Sequence, residues 1–210
     1  MTDFVPHTII WALGAFILGS IPTGLLIARS RGINIREHGS GNIGATNVRR
    51  TLGKKAGAVT FIFDVSKGLF AVLLPTWFSQ HPDSIAIAST CGFASLLGHC
   101  YSPFVRFNGG KGVATGFGVF LALAPVAALV AILGFIASFR VTRIVSLSSL
   151  TGAGAFLTLI CFGLPRQYHP SVWLFGVLSA LLIVLRHKEN IRRLIAGTES
   201  PLSEKPTRAS

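Results

Sequence analysis

Charge is scarce in this sequence. Of 210 residues only 12% are Asp, Glu, Lys or Arg, and the 7 acids are outnumbered by 19 Lys and Arg. A soluble domain carries about 25% charged residues. With 50% hydrophobic residues, a mean hydropathy of +0.63 and long uncharged runs, the chain reads as a polytopic helical membrane protein. The few carboxylates form no cluster able to hold Mg²⁺, and H-E-x-x-H is absent, so no metal or other cofactor is expected. Cysteine is sparse too. Cys91, Cys100 and Cys161 are odd in number, form no C-x-x-C pair and lie in or beside apolar runs. That argues against a disulfide framework or zinc site and for plain helix packing. No basic residue precedes the first apolar run, whereas Arg29 and Arg31 follow it. This reverses the charge order of a signal peptide and predicts an N-terminus outside.

What is present is a series of apolar segments separated by short basic loops. The predicted spans are Val5 to Ala28, Ala56 to Phe78, Ser84 to Leu97, Ile144 to Leu164 and Ser171 to Leu185. The uncharged stretch Val113 to Phe139 has basic residues on both sides, Arg106 and Lys111 before it and Arg140 and Arg143 after it. An even number of crossings satisfies the positive-inside rule, so a hairpin turning near Ala124-Pro125 is expected. The sum is seven transmembrane helices, N-terminus out and C-terminus in. Gly19 to Gly24, GSIPTG, is a site for a kink or a close helix contact. The formal charge of +12 sits in these loops, where it orients the chain and meets lipid headgroups, so nucleic acid is not a partner. Residues 1–197 form one domain on this reading. Thr198 to Ser210 is polar, with two prolines, and is expected to be a disordered cytoplasmic tail.

The unusual polar residues all fall on the predicted cytoplasmic side. Arg29 to Lys55 carries seven basic residues, and in its middle lies GSGNIGATN, Gly39 to Asn47, followed by Arg49 and Arg50. Such a loop turns sharply and presents donors, and it fits either an anion-binding loop or a flexible linker. GHCYSPFVRFNGGKGVATGFG, Gly98 to Gly118, surrounds Lys111 with Gly109, Gly110, Gly112 and Gly116. A glycine-rich loop entering a helix can cradle a phosphate; a plain orienting loop is the alternative. It is not a Walker A motif, because Val105 stands where a glycine is required and Gly112 follows the lysine. Asp64 and Lys67 share a face of the second span, and buried ionisable groups there mark either a structural pair or a function. No Asp stands five residues after His7, His38, His81, His99, His169 or His187, which removes the H-x-x-x-x-D acyltransferase pair. One-sided clustering fits an enzyme joining a soluble anion to a membrane-borne substrate better than a small phosphate-ester transporter, which would place polar groups near the midplane.

GSIPTGLL, GSGNIGATNVRRTLG, D-V-S-K-G, GHCYSPFVRFNGGKGVATG and RHKENIRRL, in this order from about Phe16 to Leu194, closely resemble the bacterial acyl-phosphate:glycerol-3-phosphate acyltransferase family (PlsY). The resemblance implies a seven-helix protein of the bacterial inner membrane with its active site at the cytoplasmic face. It implies transfer of an acyl group from acyl phosphate to the 1-hydroxyl of glycerol 3-phosphate, an early step of phospholipid synthesis. Carried over by motif, Ser40, Arg50, Lys111, Ser146, His187 and Asn190 are expected to be catalytic. Asn42, Asn47, Gly109, Gly110, Gly112 and Glu189 are expected to bind substrate, with Asp64 and Lys67 in support. The proton acceptor is left open between His187 and a phosphate oxygen of the substrate.

Overall fold

The computed structural model of the chain describes residues 4–79, 81–163 and 168–202. The long elements are helices α1 (Phe4–Ser20), α2 (Thr23–Arg29), α3 (Ala45–Leu52), α4 (Lys54–Phe78), α5 (Ser84–Cys100), α6 (Val113–Leu123), α7 (Pro125–Thr142), α8 (Val145–Thr158), α9 (Pro170–Arg186) and α10 (Lys188–Ile195). No strand occurs among the described residues. Among the described residues, four stretches are long and apolar enough to cross a membrane: Phe4–Arg29, Lys54–Phe78, Pro125–Thr142 and Val145–Gly163. A fifth arises if α9 and α10, bent by 58°, are taken together. With 17 and 11 residues, α5 and α6 are shorter. Large apolar side chains such as Ile10, Leu13, Ile17, Ile62 and Leu133 face outward, as expected of a surface that a bilayer solvates.

Two predicted breaks are present. Pro22 lacks an N–H and ends α1, so the first apolar run divides into α1 and α2. The carbonyl of Ser20, left without a helical partner, accepts from Ser102 Oγ at 2.6 Å. Ala124 leaves the helical region (φ −148°, ψ 67°) between α6 and α7, and Phe120 and Ala128 on its two sides enter one core cluster. The run Val113 to Phe139 is therefore two helices. Arg166, expected in an outer loop, lies outside the described residues.

Small residues set the helix spacing. A Cβ on Gly19 would lie 2.0 Å from the carbonyl oxygen of Ser95, and one on Gly118 would lie 2.0 Å from that of Val65. These contacts hold α1 against α5 and α6 against α4 at backbone distance, which is how helices associate where burial from water offers no drive. The consequence for the site is geometric. The ends of α5, α7 and α9 and the starts of α3, α6 and α8 meet at one end of the bundle, with α10 beside them.

Candidate active site

Local sequence shapes the first wall of this end. The loop before α3 turns through Gly39 and Gly41, both with positive φ. Asn47 holds it from inside. Its amide nitrogen donates to the carbonyls of Ile35, His38 and Asn42 at 3.2, 2.9 and 2.9 Å, and its Oδ1 accepts from the Ser40 N–H at 2.9 Å. Asn42 Oδ1 accepts from the Gly44 N–H at 2.8 Å. Asn47 is buried and its polar atoms are spent on the loop, so it acts by shaping the wall.

The second wall is the turn before α6. Here the structure corrects the expectation for Gly109 and Gly110. Their N–H groups donate to the carbonyls of Cys100 and His99 at 3.1 and 3.0 Å, and their own carbonyls accept from Arg186 at 3.0 and 3.1 Å. Neither lines the pocket. They are small because His99 is close: a Cβ on Gly110 would lie 2.1 Å from its Nε2. Gly112, by contrast, lines the pocket and caps α6 at φ +82°.

Together these walls enclose a polar pocket of about 720 Å³, open at its mouth. It is lined by Ser40, Asn42, Asn47, Arg50, Lys111, Gly112, Ser146, His187 and Asn190, as the sequence implied, and also by Asp64, His99, Arg193 and Glu199. Glu189 is not among them. It points to solvent and pairs with Arg192 at 3.0 Å. Three helices begin on the pocket wall: α3 at Gly44-Ala45, α6 at Gly112-Val113 and α8 at Val145-Ser146. None has a side-chain N-cap, which leaves first-turn N–H groups and the positive dipole ends for an anion.

Electrostatics add to this. Arg50, Lys111 and Arg193 bring positive charge to the wall. Burial pulls the Lys111 ammonium down to about 8, helped by Arg193, Arg50 and Arg186 and opposed by Glu199. His187, just past the end of α9, is 1% exposed. Its ring Nδ1 lies 2.7 Å from the carbonyl of Ile183, so Nδ1 carries the proton and Nε2 the lone pair. Burial lowers its pKa to about 4, with the Ile183 hydrogen bond acting in the other direction and Lys111 reinforcing the burial. At the pocket floor, Asp64 Oδ1 lies 2.8 Å from Lys67 Nζ and 3.7 Å from His99 Nδ1.

Residues 198–202, expected to be disordered, run back across the pocket, while 203–210 lie outside the described residues. Glu199 accepts hydrogen bonds from Ser146, Asn190 and Arg193. Burial raises its pKa, but those hydrogen bonds and the charge of Arg193 outweigh it and leave the group below its ordinary value. Nothing in a short polar stretch between Gly197 and Pro201 announces such docking.

An apolar groove of about 150 Å³ opens from the polar pocket between α4, α6, α7, α8 and α9. Phe61, Val113, Phe135 and Ser149 line both spaces. The groove runs past Gly116, Ala131 and Ala153 toward Phe120 and Phe156, whose rings lie 4.6 Å apart. An anion-binding chamber joined to a slot for an apolar chain can hold an amphiphile by both ends.

Known proteins share this sequence and fold. The family model for glycerol-3-phosphate acyltransferase matches residues 9–197. The chain is 47% identical to the glycerol-3-phosphate acyltransferase of Trichlorobacter lovleyi, over 90% of this chain and 95% of that protein. It is 48% identical to that of Geobacter metallireducens, over 89% and 93%. It is also similar to the crystal structure of PlsY (YgiH), an integral membrane glycerol 3-phosphate acyltransferase, in its glycerol 3-phosphate form, with a TM-score of 0.85, 38% identity, and 94% of this chain and 96% of that one covered. The lysophosphatidic acid form of the same protein gives a TM-score of 0.83 at 37% identity, with the same coverage. By these matches, in sequence and in fold, the chain belongs to the glycerol-3-phosphate acyltransferase family.

Proposed function

We propose that this chain transfers a fatty acyl group from acyl phosphate to the 1-hydroxyl of sn-glycerol 3-phosphate, giving 1-acylglycerol 3-phosphate and inorganic phosphate. One observation carries the reading: the polar pocket, with three uncapped helix starts and the cations Arg50 and Lys111, opens directly into the apolar groove. Counting α1–α2 as one crossing and α4 to α9 as one each gives seven. The basic loops then lie at the pocket end, which the positive-inside rule puts at the cytoplasmic face of a bacterial inner membrane, with the N-terminus opposite. Residues 1–197 act as one domain, and no metal has a part in the scheme.

In this scheme the 1-oxygen of glycerol 3-phosphate attacks the acyl carbonyl carbon. The bond from that carbon to the phosphate oxygen breaks, and phosphate departs with the electron pair. Phosphate is a good leaving group, so no covalent enzyme intermediate is needed. Catalysis rests on positioning and on donors aimed at developing negative charge. Lys111, Arg50 and the N–H groups from Gly112 onward neutralise phosphate. Ser40 and Asn42 hold the acceptor substrate from the first loop, and Ser146 and Asn190 hold the donor phosphate. His187, with a pKa near 4, is a weak base. A phosphate monoester has its second pKa at about 6, so a substrate phosphate oxygen takes the hydroxyl proton while His187 Nε2 orients that hydroxyl.

The test is purified protein in lipid nanodiscs with glycerol 3-phosphate and palmitoyl phosphate. Phosphate release that requires both substrates and yields 1-acylglycerol 3-phosphate supports the reading. Flux of labelled glycerol 3-phosphate into proteoliposomes with no acyl product would replace it with a transporter.

A further inference from the structure

The segment after α10 folds back over the polar pocket. Gly197 turns at φ +67°, the Thr198 N–H donates to the Arg193 carbonyl at 2.8 Å, and the Leu202 N–H reaches the carbonyl of Arg143 at 2.9 Å. Between these anchors Glu199 points inward, its side chain 9% exposed. Its Oε1 accepts from Ser146 Oγ and from Asn190 Nδ2, both at 2.6 Å, and its Oε2 accepts from Arg193 Nε at 2.6 Å. The next carbonyl, that of Ser200, accepts from Arg50 at 3.0 Å.

A carboxylate with both oxygens on side-chain donors, near Lys111 and Arg50, has taken the contacts that an incoming phosphate needs. The reaction proposed above has no use for a fixed anion there, because an enzyme carboxylate beside a departing phosphate opposes the charge that develops. Ser149, one turn along α8 from Ser146, lines both the pocket and the apolar groove. This position is therefore where the phosphate end of a long-chain amphiphile arrives.

We infer that Glu199 is a built-in competitor for the donor phosphate. Assigning the occupant to acyl phosphate rests on the acyltransferase reading; competition with an anion does not. The carboxylate leaves Ser146 and Asn190 whenever the pocket loads, so an incoming anion must outbid it. A free fatty acid has the same tail as the donor but offers only another single carboxylate charge. The phosphate of the donor offers three terminal oxygens and more charge for the same donors and for Lys111. The same displacement cost falls on a free fatty acid, which a bilayer can supply and which would otherwise block the groove. A carboxylate seated about nine-tenths of the time weakens apparent phosphate affinity about tenfold.

The experiment compares full-length wild type with Glu199→Ala and Glu199→Gln. Binding of inorganic phosphate, measured by calorimetry in detergent, needs no acyl transfer. It is expected to tighten about tenfold in E199A, and by less in E199Q, which keeps hydrogen-bonding atoms but loses the charge. In steady state, KM for palmitoyl phosphate falls by a similar factor with kcat unchanged. Inhibition by palmitate tightens by the same factor in E199A. Unchanged or weaker phosphate binding in both variants overturns the inference and makes Glu199 a supporting wall residue. Tightened binding in a protein without acyltransferase activity would leave the competitor standing and remove the reaction. Thermal melts of both variants, with E199Q as the conservative one, separate these results from misfolding.

Discussion

Lys67 Nζ donates to the main-chain carbonyl of Ile21 at 3.1 Å. That carbonyl also accepts from the Thr23 N–H at 3.0 Å across the break, and Lys67, 6% exposed, reaches it from α4 while pairing with Asp64 at 2.8 Å. The pair therefore braces the break between α1 and α2. Lys67→Met is expected to cost about 3–5 kcal/mol, because it strands a buried carboxylate. Adding Asp64→Asn should recover part of that loss. Thermal unfolding in detergent measures both; a single variant as stable as wild type would show that the brace carries no load.

Gly110 and Lys111 are neighbours with different expected failures. A methyl group on Gly110 would meet the His99 ring at 2.1 Å, so Gly110→Ala should lower the melting temperature and the folded yield. Lys111→Ala removes a pocket cation without a packing conflict. It should fold normally, and loss of one donor aimed at transition-state charge is expected to cut kcat/KM about 10²–10³-fold. Melting curves and activity together distinguish the cases, and a stable, inactive G110A would return Gly110 to the phosphate site.

Lys111 also gives pH effects of opposite sign. Its folded pKa is about 8, below the unfolded lysine value of about 10.4. Phosphate affinity carried by its charge is present below about 8 and declines as pH rises through that value. Stability moves the other way: above about 8 the unfolded state holds more protons, so folding becomes more favourable with pH until the unfolded lysine also titrates. KM for glycerol 3-phosphate should rise between pH 7 and 9 in wild type, and this slope should vanish in K111A. An unchanged slope in K111A would assign the effect to another group.

Much of this was readable from residue order because lipid imposes coarse rules. Basic clusters at Arg106–Lys111 and Arg140–Arg143 required an even number of crossings, and Ala124 breaks the helix where that argument put the turn. Pro22 broke the first run for an equally local reason. The pocket was legible in its cations and loop residues, since Lys111, Arg50, Ser146 and Asn190 are out of place in lipid. What failed depended on which partner a polar atom finds. Gly109 and Gly110 look like phosphate donors until His99, Cys100 and Arg186 are seen to have taken their backbone groups. Glu189 and Asn190 are adjacent, yet only one faces inward, because successive residues on α10 point about 100° apart. Asn47 sits in the pocket wall with its amide committed to the loop. Glu199 gave no sign at all, since its role comes from contact with Ser146, 53 residues earlier in the chain.

The groove should act as a gauge of acyl length. It is walled by small residues, Gly116, Ala131, Gly152 and Ala153, and bounded by Phe120 and Phe156, each 5% exposed. Ser149 at its mouth and Phe156 at its far end are seven residues apart on α8, roughly 10 Å at 1.5 Å per residue. Ala153, midway between them, is half-buried, so Ala153→Phe narrows the slot with little loss of core packing. A short donor such as butanoyl phosphate ends before residue 153 and should keep its KM, whereas palmitoyl phosphate must pass it and should bind at least tenfold more weakly. The expected signature is thus a change in the ratio of kcat/KM between the two donors with the melting temperature unaltered. Equal losses for both donors would mean that the acyl chain leaves the pocket by another path.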